Sequence, residues 1–332
     1  MVINLEAKPK VSVVVPLYNR QKLIVETIES VRRQSYSNFE LLVIDDHSND
    51  ESFLVAKNLA RSDDRIRTWQ RKSAIKGAPA CRNEGISAAT GDRVVFVDSD
   101  DLLAKDCLQN RVASFALLQD RDFHIFPSKQ FRNVPGDLEL DWFRTAEDHL
   151  AGFLERPLWN VMSAIWNTES IRRLGGFRED LLSWQDWDLH VRALVQGFKY
   201  QVHENASADN YVRRSLHDRI SFSSERDVGK LENRKQLFRD THRAICQYDK
   251  MTEVVRENMK DLFIGLATKL RIVGSHQSAD QWIVELAEME LIPKDMVEST
   301  IRYSKQRSRM TLRQRVSEFK LWLVSTYRRL TG

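Results

Sequence analysis

The chain has 332 residues and a formal net charge of +4, with 42% hydrophobic and 30% charged residues. This length allows one large domain with an appendage or two domains, and the small net charge excludes the strongly basic class of nucleic-acid-binding proteins. The three cysteines (Cys81, Cys107 and Cys246) have no metal-ligand spacing, which favours a reducing compartment. The first ten residues lack a signal-peptide core and no apolar run reaches membrane-span length, so a cytoplasmic location is predicted, with the inner face of the membrane as an option.

The first hundred residues alternate between apolar strand patterns and amphipathic helix patterns. Strands are predicted at 11–15, 40–44, 65–70 and 93–97, and helices at 26–34, 50–60 and 79–89. Pro16 is expected to end the first strand, and Gly91 to close the third helix in a left-handed conformation. This alternation predicts an α/β fold, a mostly parallel sheet with helices on both faces.

Polar side chains follow three of these strands. Ligands of open parallel sheets bind at the carboxyl ends of the strands, so these side chains should line one crevice. Alternation along an extended chain sends Asp98 and Asp100 to the same side, where two carboxylates could hold a divalent cation. Together with Asp101 they would repel one another without a cation, although a solvated turn with a helix cap is the simpler alternative. The three polar clusters are Tyr18-Asn19, Asp45-Asp46 and Asp98-Ser99-Asp100.

Beyond residue 101 the pattern is less regular. Helices are predicted at 104–118, 169–174 and from Trp184 to near Gly197, and strands at 123–131, 163–166, 198–204 and 210–213. From residue 225 onward the periodicity is helical with few turn signals. The chain is therefore predicted to contain an α/β domain at 1–224 and a region of three or four helices at 225–332.

Residues 301–332 are strongly basic, with nine Lys and Arg residues and one acid, Glu318. Apolar side chains recur at helical spacing on one face. A basic amphipathic helix of this kind suits an anionic membrane surface, so peripheral membrane contact is predicted. The alternative is a helix packed on the protein with a solvated basic face. The apolar positions are Leu312, Val316, Phe319, Leu323 and Tyr327.

Several motifs, in this order, resemble the family 2 glycosyltransferases of the GT-A fold. They lie at residues 13–19, 43–50, 77–86, 91–101, 175–177 and 185–189. The resemblance implies that a sugar passes, with inversion at the anomeric carbon, from a nucleotide-sugar donor to an acceptor hydroxyl. The expected donor is UDP-linked and the expected cofactor is Mn²⁺ or Mg²⁺. A glycan or lipid-linked acceptor is expected, in surface polysaccharide or glycolipid assembly.

The resemblance also implies roles for individual residues. Pro16, Tyr18 and Asn19 would border the nucleotide, and Asp46 or its neighbour Asp45 would accept a hydrogen bond from the base. Arg82 would lie near the base or the phosphates, Asp98 would face the ribose and the metal, and Asp100 would bind the metal. Asp186 would be the general base, with Trp184, Gln185 and Trp187 beside the acceptor. His217 would approach the metal or the diphosphate.

Simpler interpretations stand beside these roles. Asp45 and Asp46 could cap the following helix, Asp186 could cap its own, and Arg82 could be an ordinary surface residue. Gln185 occupies a position that is often Glu in the family, so the base assignment depends on Asp186, with Asp188 as the fallback. A metal-dependent nucleotidyltransferase and a non-catalytic nucleotide- or glycan-binding protein are the alternative functions.

Overall fold

The computed structural model describes residues 8–214 and 226–310. The chain divides into two compact units, Met1–Asp218 and Arg219–Gly332. The domain boundary predicted near residue 224 falls outside the described residues and stays a prediction.

The first unit contains two sheets. Its strands are β1 (Val11–Leu17), β2 (Phe39–Asp45), β3 (Ile66–Gln70), β4 (Arg93–Phe96), β5 (Leu102–Leu103), β6 (Phe123–Ile125), β7 (Ser128–Phe131), β8 (Leu140–Asp141), β9 (Ala164–Asn167), β10 (Tyr200–Val202) and β11 (Asn210–Arg213). Seven strands form the main sheet in the order β10-β6-β9-β4-β1-β2-β3, where β9 alone runs antiparallel to its neighbours. A smaller sheet has the order β5-β11-β7-β8. The predicted α/β class with a mostly parallel sheet is confirmed.

Seven α-helices connect and cover these strands in the described part of the first unit. They are α1 (Ile24–Arg32), α2 (Ser52–Ala60), α3 (Ala78–Ala88), α4 (Cys107–Leu117), α5 (His149–Glu155), α6 (Thr168–Leu174) and α7 (Gln185–Val195). The central strands β1 and β2 are buried along their whole length, as near-continuous apolar runs in a parallel sheet should be. Helix α3 packs on both of them.

Two strand predictions need correction. Strand β1 does not stop at Pro16 but continues to Leu17, pairing Pro16 with Ile44. The Val14 carbonyl faces β4, and backbone groups two residues apart on a strand point to the same side, so the Pro16 nitrogen also faces β4. The pairing of β1 with β4 ends at Val14, so Pro16 does not need an N–H. The predicted strand 123–131 is two strands, β6 and β7, which belong to different sheets and are separated by Pro127.

Two glycines allow close packing around α3. A Cβ on Gly85 would lie 2.3 Å from Cγ1 of Val14, so the helix can rest directly on β1 only with glycine here. Gly91 was expected to be left-handed, which is wrong, because helix α3 ends in the extended residue Ala89. Gly91 is instead confined by the backbone, since its Cβ would lie 2.7 Å from the carbonyl oxygen of Lys10.

The described part of the second unit is helical, with four helices. They are α8 (Val228–Gln247), α9 (Glu253–Ile272), α10 (His276–Glu288) and α11 (Val297–Arg309). Their core is built around three aromatic side chains, with the Phe238 and Phe263 rings stacked at 4.5 Å and Trp282 beside them. Within 8–214 and 226–310, none of the helices is both long enough and apolar enough to span a membrane. The amphipathic positions predicted at 312–327 lie outside the described residues.

Candidate active site

The carboxyl ends of β1, β2 and β4 are tied together by hydrogen bonds. After β1, the Asn19 amide donates to Ser48 Oγ at 3.0 Å, and Asn19 Oδ1 accepts from the Asn49 amide at 2.8 Å. Arg20, the next residue, reaches Asp100 beyond β4 at 3.3 Å. The three polar clusters predicted from the sequence therefore lie side by side in the first unit.

Backbone strain is concentrated here. Among the described residues of the first unit, the non-glycine residues with positive φ are Asn19 (49°), His47 (61°) and Trp184 (65°). Each follows or precedes an element that carries a predicted site residue. Such conformations disfavour side chains with a Cβ and cluster at functional sites.

The two residues after β1 and the proline within it differ in exposure. Pro16 is buried in the strand, whereas Tyr18 is 49% exposed at its end. The Tyr18 ring is therefore accessible to a ligand, whereas the Pro16 side chain is not. Asn19 is half-buried and holds the loop after β2.

Asp45 and Asp46 have different surroundings. Asp45 is fully buried, and its carboxylate accepts hydrogen bonds from the Ser48 amide and hydroxyl and from Gln70 Nε2. It therefore organises the turn after β2 and offers no free oxygen to a base. Asp46 is half-buried, receives a hydrogen bond from Arg71 Nε and accepts from the Gly77 amide at 2.9 Å. Of the pair, Asp46 is the more accessible residue.

Two of the three carboxylates after β4 are paired with guanidinium groups, and the third accepts from a backbone amide. Asp98 accepts from Arg82 Nη2 at 2.6 Å, and Asp100 from Arg20 Nε at 3.3 Å. Asp101 is buried and accepts from the Arg213 amide at 2.6 Å, so it is a structural residue of the turn. Arg82 and Arg20 therefore compensate part of the negative charge of this cluster, and the predicted repulsion between Asp98 and Asp100 remains.

Asp98 and Asp100 nevertheless fit a divalent cation. Burial and the neighbouring Asp98 carboxylate raise the pKa of Asp100, despite the opposing effect of Arg20. Two carboxylates of this kind, with remaining positions for phosphate oxygens and water, match the oxygen preference of Mg²⁺ and Mn²⁺. Within the described ranges no group of three or more His, Cys, Asp or Glu side chains could hold a metal, and His217 lies outside those ranges.

Arg82 joins the β4 cluster to helix α7. It is 4% exposed, so it is not the surface residue that one sequence interpretation suggested. Its Nη1 donates to Gln185 Oε1 at 3.3 Å, and its guanidinium lies 5.1 Å from the Phe177 ring centroid. Burial alone would lower the pKa of Arg82, but the charges of Asp98 and Asp186 raise it above the ordinary value.

Asp186 lies in the first turn of α7, close enough to Arg82 for the two charges to interact. Burial raises the pKa of Asp186 to about 6, since the Asp98 charge adds to burial while Arg82 and the Val161 amide only partly offset it. The Val161 amide donates to Asp186 Oδ2 at 3.1 Å. A carboxylate with this pKa is suited to accept a proton near neutral pH. The fallback base Asp188 is buried and paired with Arg192 at 2.8 Å.

The tryptophans beside Asp186 are not equivalent. Trp187 is 2% exposed and its Nε1 donates to the Phe153 carbonyl, so its predicted contact with the acceptor is wrong and it is a core residue. Trp184 and Trp187 both lie at the start of an amphipathic helix. The sequence pattern does not show which of the two rings is buried. Trp184 and Gln185 are half-buried and stay acceptor-side candidates.

Sequence reasoning missed several residues that hold the site together. Arg213 donates from Nε to the Asp100 carbonyl at 2.8 Å, and Asn83 exchanges hydrogen bonds with Phe177 across the start of the loop before α7. Gly176 is required there, because at its φ of 62° a Cβ would lie 2.4 Å from Asn83 Oδ1. Arg20 could have been found from its place directly after Asn19, whereas Arg213 comes from a distant strand and gives no local signal.

Comparison with known proteins identifies the family. Residues 12–122 match the sequence profile of Glycosyl transferase family 2. An uncharacterized glycosyltransferase of Haemophilus influenzae is 36% identical over 206 residues, which cover 62% of this chain and 79% of that protein. The chain therefore belongs to the family 2 glycosyltransferases.

Other relatives are similar over shorter stretches or in fold. The GalNAc(5)-diNAcBac-PP-undecaprenol beta-1,3-glucosyltransferase of Campylobacter jejuni is 38% identical over 100 residues, 30% of this chain, and the match spans only 32% of that relative's length. S. aureus TarS 1-349 in complex with UDP superposes with a TM-score of 0.62 at 21% identity, covering 90% of this chain and 88% of that one. The mannosyltransferase PcManGT from Pyrobaculum calidifontis, in complex with GDP-Man and Mn²⁺, has a TM-score of 0.54 at 18% identity, covering 91% and 87%. These structures share the fold.

Proposed function

We propose that this enzyme transfers a sugar from a UDP-linked donor to an acceptor hydroxyl with inversion at the anomeric carbon. The observation that carries the proposal is the chain of contacts from Asp98 through Arg82 to the helix that bears Asp186. This chain of contacts supports the proposal, because a carboxylate whose pKa is about 6 then lies near two carboxylates that would suit a diphosphate-bound cation. Donor activation and proton removal are the two requirements of the reaction.

The donor would occupy the carboxyl ends of β1, β2 and β4. Tyr18 offers an exposed ring for packing, and Asp46 offers a carboxylate at the edge of the crevice for the base. Asp98 would accept from the ribose and, with Asp100, would hold Mn²⁺ or Mg²⁺, which when bound neutralises charge on the leaving diphosphate. Arg20 and Arg82 add fixed positive charge on the same side.

The acceptor would approach from the side of α7. Asp186 would take the proton of the attacking hydroxyl, so that the oxygen becomes nucleophilic as it reaches the anomeric carbon. For inversion, the base and the diphosphate must lie on opposite faces of the sugar. Asp186 belongs to α7 and the donor-side carboxylates follow β4, so the base and the diphosphate would be held by different elements. Trp184 is half-buried and available to pack against the acceptor or the donor sugar.

A lipid-linked or polysaccharide acceptor is the best supported class. The Campylobacter relative is named for a PP-undecaprenol acceptor, and another relative, 31% identical over 203 residues, is an amylovoran biosynthesis glycosyltransferase of Erwinia amylovora. We therefore assign the enzyme to the assembly of surface polysaccharide or glycolipid. The carboxylate of Asp186, with its pKa of about 6, supports a catalytic role over a non-catalytic one, and the resemblance to glycosyltransferases favours sugar transfer over nucleotidyl transfer.

The test is a screen of nucleotide sugars with Mn²⁺ or Mg²⁺, in which slow donor hydrolysis and metal-dependent binding of the free nucleotide are measured. The proposal predicts release of UDP from one UDP-sugar and a requirement for the cation. Binding of a nucleoside triphosphate with release of pyrophosphate would contradict it in favour of nucleotidyl transfer.

A further inference from the structure

Gln185 makes two side-chain contacts that only an amide can make together. Its Oε1 accepts from Arg82 Nη1 at 3.3 Å, and its Nε2 donates to the Leu181 carbonyl at 3.3 Å. A carboxylate could accept from Arg82 but would turn its second oxygen toward the Leu181 oxygen, which repels it. Because Arg82 donates and the Leu181 carbonyl accepts, the two contacts together require a neutral amide in this orientation.

The position of Arg82 depends on these contacts. Its two terminal nitrogens have different partners, Asp98 for Nη2 and Gln185 for Nη1. Its buried Nε has no hydrogen-bond partner among the described residues, so the plane of the guanidinium is held by Asp98 at one nitrogen and by Gln185 at the other. Without Gln185, the Arg82 guanidinium would be held only by its hydrogen bond to Asp98 and its contact with the Phe177 ring.

We propose that Gln185 is a positioning residue that holds the Arg82 guanidinium between the donor-side carboxylate Asp98 and the general base Asp186. The inference rests on the proposed function, because it assigns Asp186 the proton-accepting role. The neutral amide accepts a hydrogen bond from Arg82 but does not neutralise its positive charge. The guanidinium can therefore stabilise the charges of both Asp98 and Asp186. A Glu at this position would be a third carboxylate around one buried cation.

The charge on Asp186 is sensitive to this balance. The charged or donor groups that face it are Arg82 from α3, Asp98 from the end of β4 and the Val161 amide. Of these, Arg82 is the one that stabilises the ionised carboxylate by its charge. Moving Arg82 away, or adding a negative charge beside it, raises the pKa of Asp186. A smaller fraction of Asp186 is then ionised and able to accept a proton at neutral pH.

The test compares Gln185→Glu and Gln185→Ala with Gln196→Glu, the same chemical change at the exposed far end of α7. Steady-state kinetics of the wild type and each variant are measured at several pH values, with melting temperatures as a check on folding. We expect Gln185→Glu to raise the pKa of the base by about one unit, which lowers kcat about twofold at pH 7 and about tenfold at pH 5, with donor KM changed by less than about threefold. The loss should shrink as the pH rises. Gln185→Ala should lower kcat by a smaller factor, and Gln196→Glu should leave both constants unchanged.

Wild-type kcat and an unshifted pH profile in Gln185→Glu would overturn the proposal while leaving the proposed function intact. Failure of the wild type to transfer sugar from any donor would overturn both. A fall in melting temperature with unchanged kcat per folded molecule would show a purely structural role and also overturn it. If Gln185→Glu does not fold, Gln185→Ala decides, since wild-type kcat in that variant contradicts a positioning role.

Discussion

At the scale of single residues, the site is a set of carboxylates that share a smaller number of arginines. Arg82 and Arg20 lie against Asp98 and Asp100, and each arginine comes from a different element than the carboxylate it contacts. This pairing keeps the acidic cluster stable when no cation is bound. If Asp98 and Asp100 hold a cation, as proposed, Arg20 and Arg82 would become available to phosphate oxygens.

Replacing Asp100 with Ala should abolish the metal-dependent part of nucleotide binding. The variant keeps Asp98, but one carboxylate is a weak anchor for a cation that prefers several oxygen ligands. Titration calorimetry with UDP, with and without Mn²⁺, measures the difference in affinity. The exposed Asp106, on the same stretch of chain, gives the matched control Asp106→Ala. An Asp100→Ala protein that binds UDP with the wild-type dependence on Mn²⁺ would remove Asp100 from the metal site.

The pKa of Asp186 predicts how activity depends on pH. The base must be ionised, so kcat/KM, which reports the free enzyme, should fall as the pH drops through about 6. Burial lowers the pKa of His190, on the same helix, to about 4, so this histidine does not contribute to that limb. The stability effect has the opposite sign, because the folded state binds the Asp186 proton more tightly than the unfolded chain does. The contribution of this group to stability is therefore lost as the pH rises through about 6. An acid limb near pH 4 in kcat/KM would contradict the assignment.

The sequence predicted these carboxylates but not their partners. Asp98, Asp100 and Asp186 are part of recognisable motifs. Arg213, in contrast, contacts the cluster from a strand more than a hundred residues along the chain. The difference in burial between Trp184 and Trp187 depends on where helix α5 packs, which local periodicity does not report. Local pattern thus finds residues at strand and helix ends, and tertiary contact decides which of them are available.

At the scale of elements, the site depends on how closely α3 rests on β1. Gly85 is in contact with Val14 of the strand, and Arg82 lies one turn earlier on the same helix. The sequence predicted this helix and this strand to within a few residues. It did not predict the division of 123–131 between two sheets, because both halves have strand character and only the pairing partners differ.

Gly85→Ala should lower stability by about 1–3 kcal/mol, since the added methyl group overlaps Val14 in a buried contact. Chemical denaturation measures the change, and UDP affinity should fall as α3 and Arg82 move. The double variant Val14→Ala/Gly85→Ala should recover part of both losses. Gly265→Ala, in helix α9 where a Cβ meets nothing within 4 Å, should instead raise stability by about 0.5–1 kcal/mol. Equal behaviour of Gly85→Ala and Gly265→Ala would show that the close approach is unimportant.

At the scale of the whole molecule, the α/β unit contains every described residue of the site, and the helical unit has no assigned chemistry. The basic segment 301–332 begins within helix α11, whose 13 residues include several arginines and a lysine. A membrane-bound acceptor would make surface attachment useful to the enzyme. The resemblance to the family covers residues up to about 222, so it offered no prediction for the helices that follow.

Ending the chain at Met310 should weaken binding to vesicles that contain phosphatidylglycerol. This variant keeps α11 whole and removes the residues whose apolar positions suit a membrane surface. Vesicle flotation at low and high salt measures binding, with neutral phosphatidylcholine vesicles as the control. Equal flotation of the full and shortened chains would reject membrane contact through this segment.

The central claim, that Asp186 is the base of a glycosyl transfer, is tested most directly by Asp186→Asn. The amide can still accept from the Val161 amide, and it removes a buried charge, so folding should be unchanged or slightly more stable at neutral pH. With an active donor from the nucleotide-sugar screen, we predict that affinity for UDP with Mn²⁺ stays within about threefold while transfer falls by about 10²–10⁴. Near-normal transfer by Asp186→Asn would contradict the account.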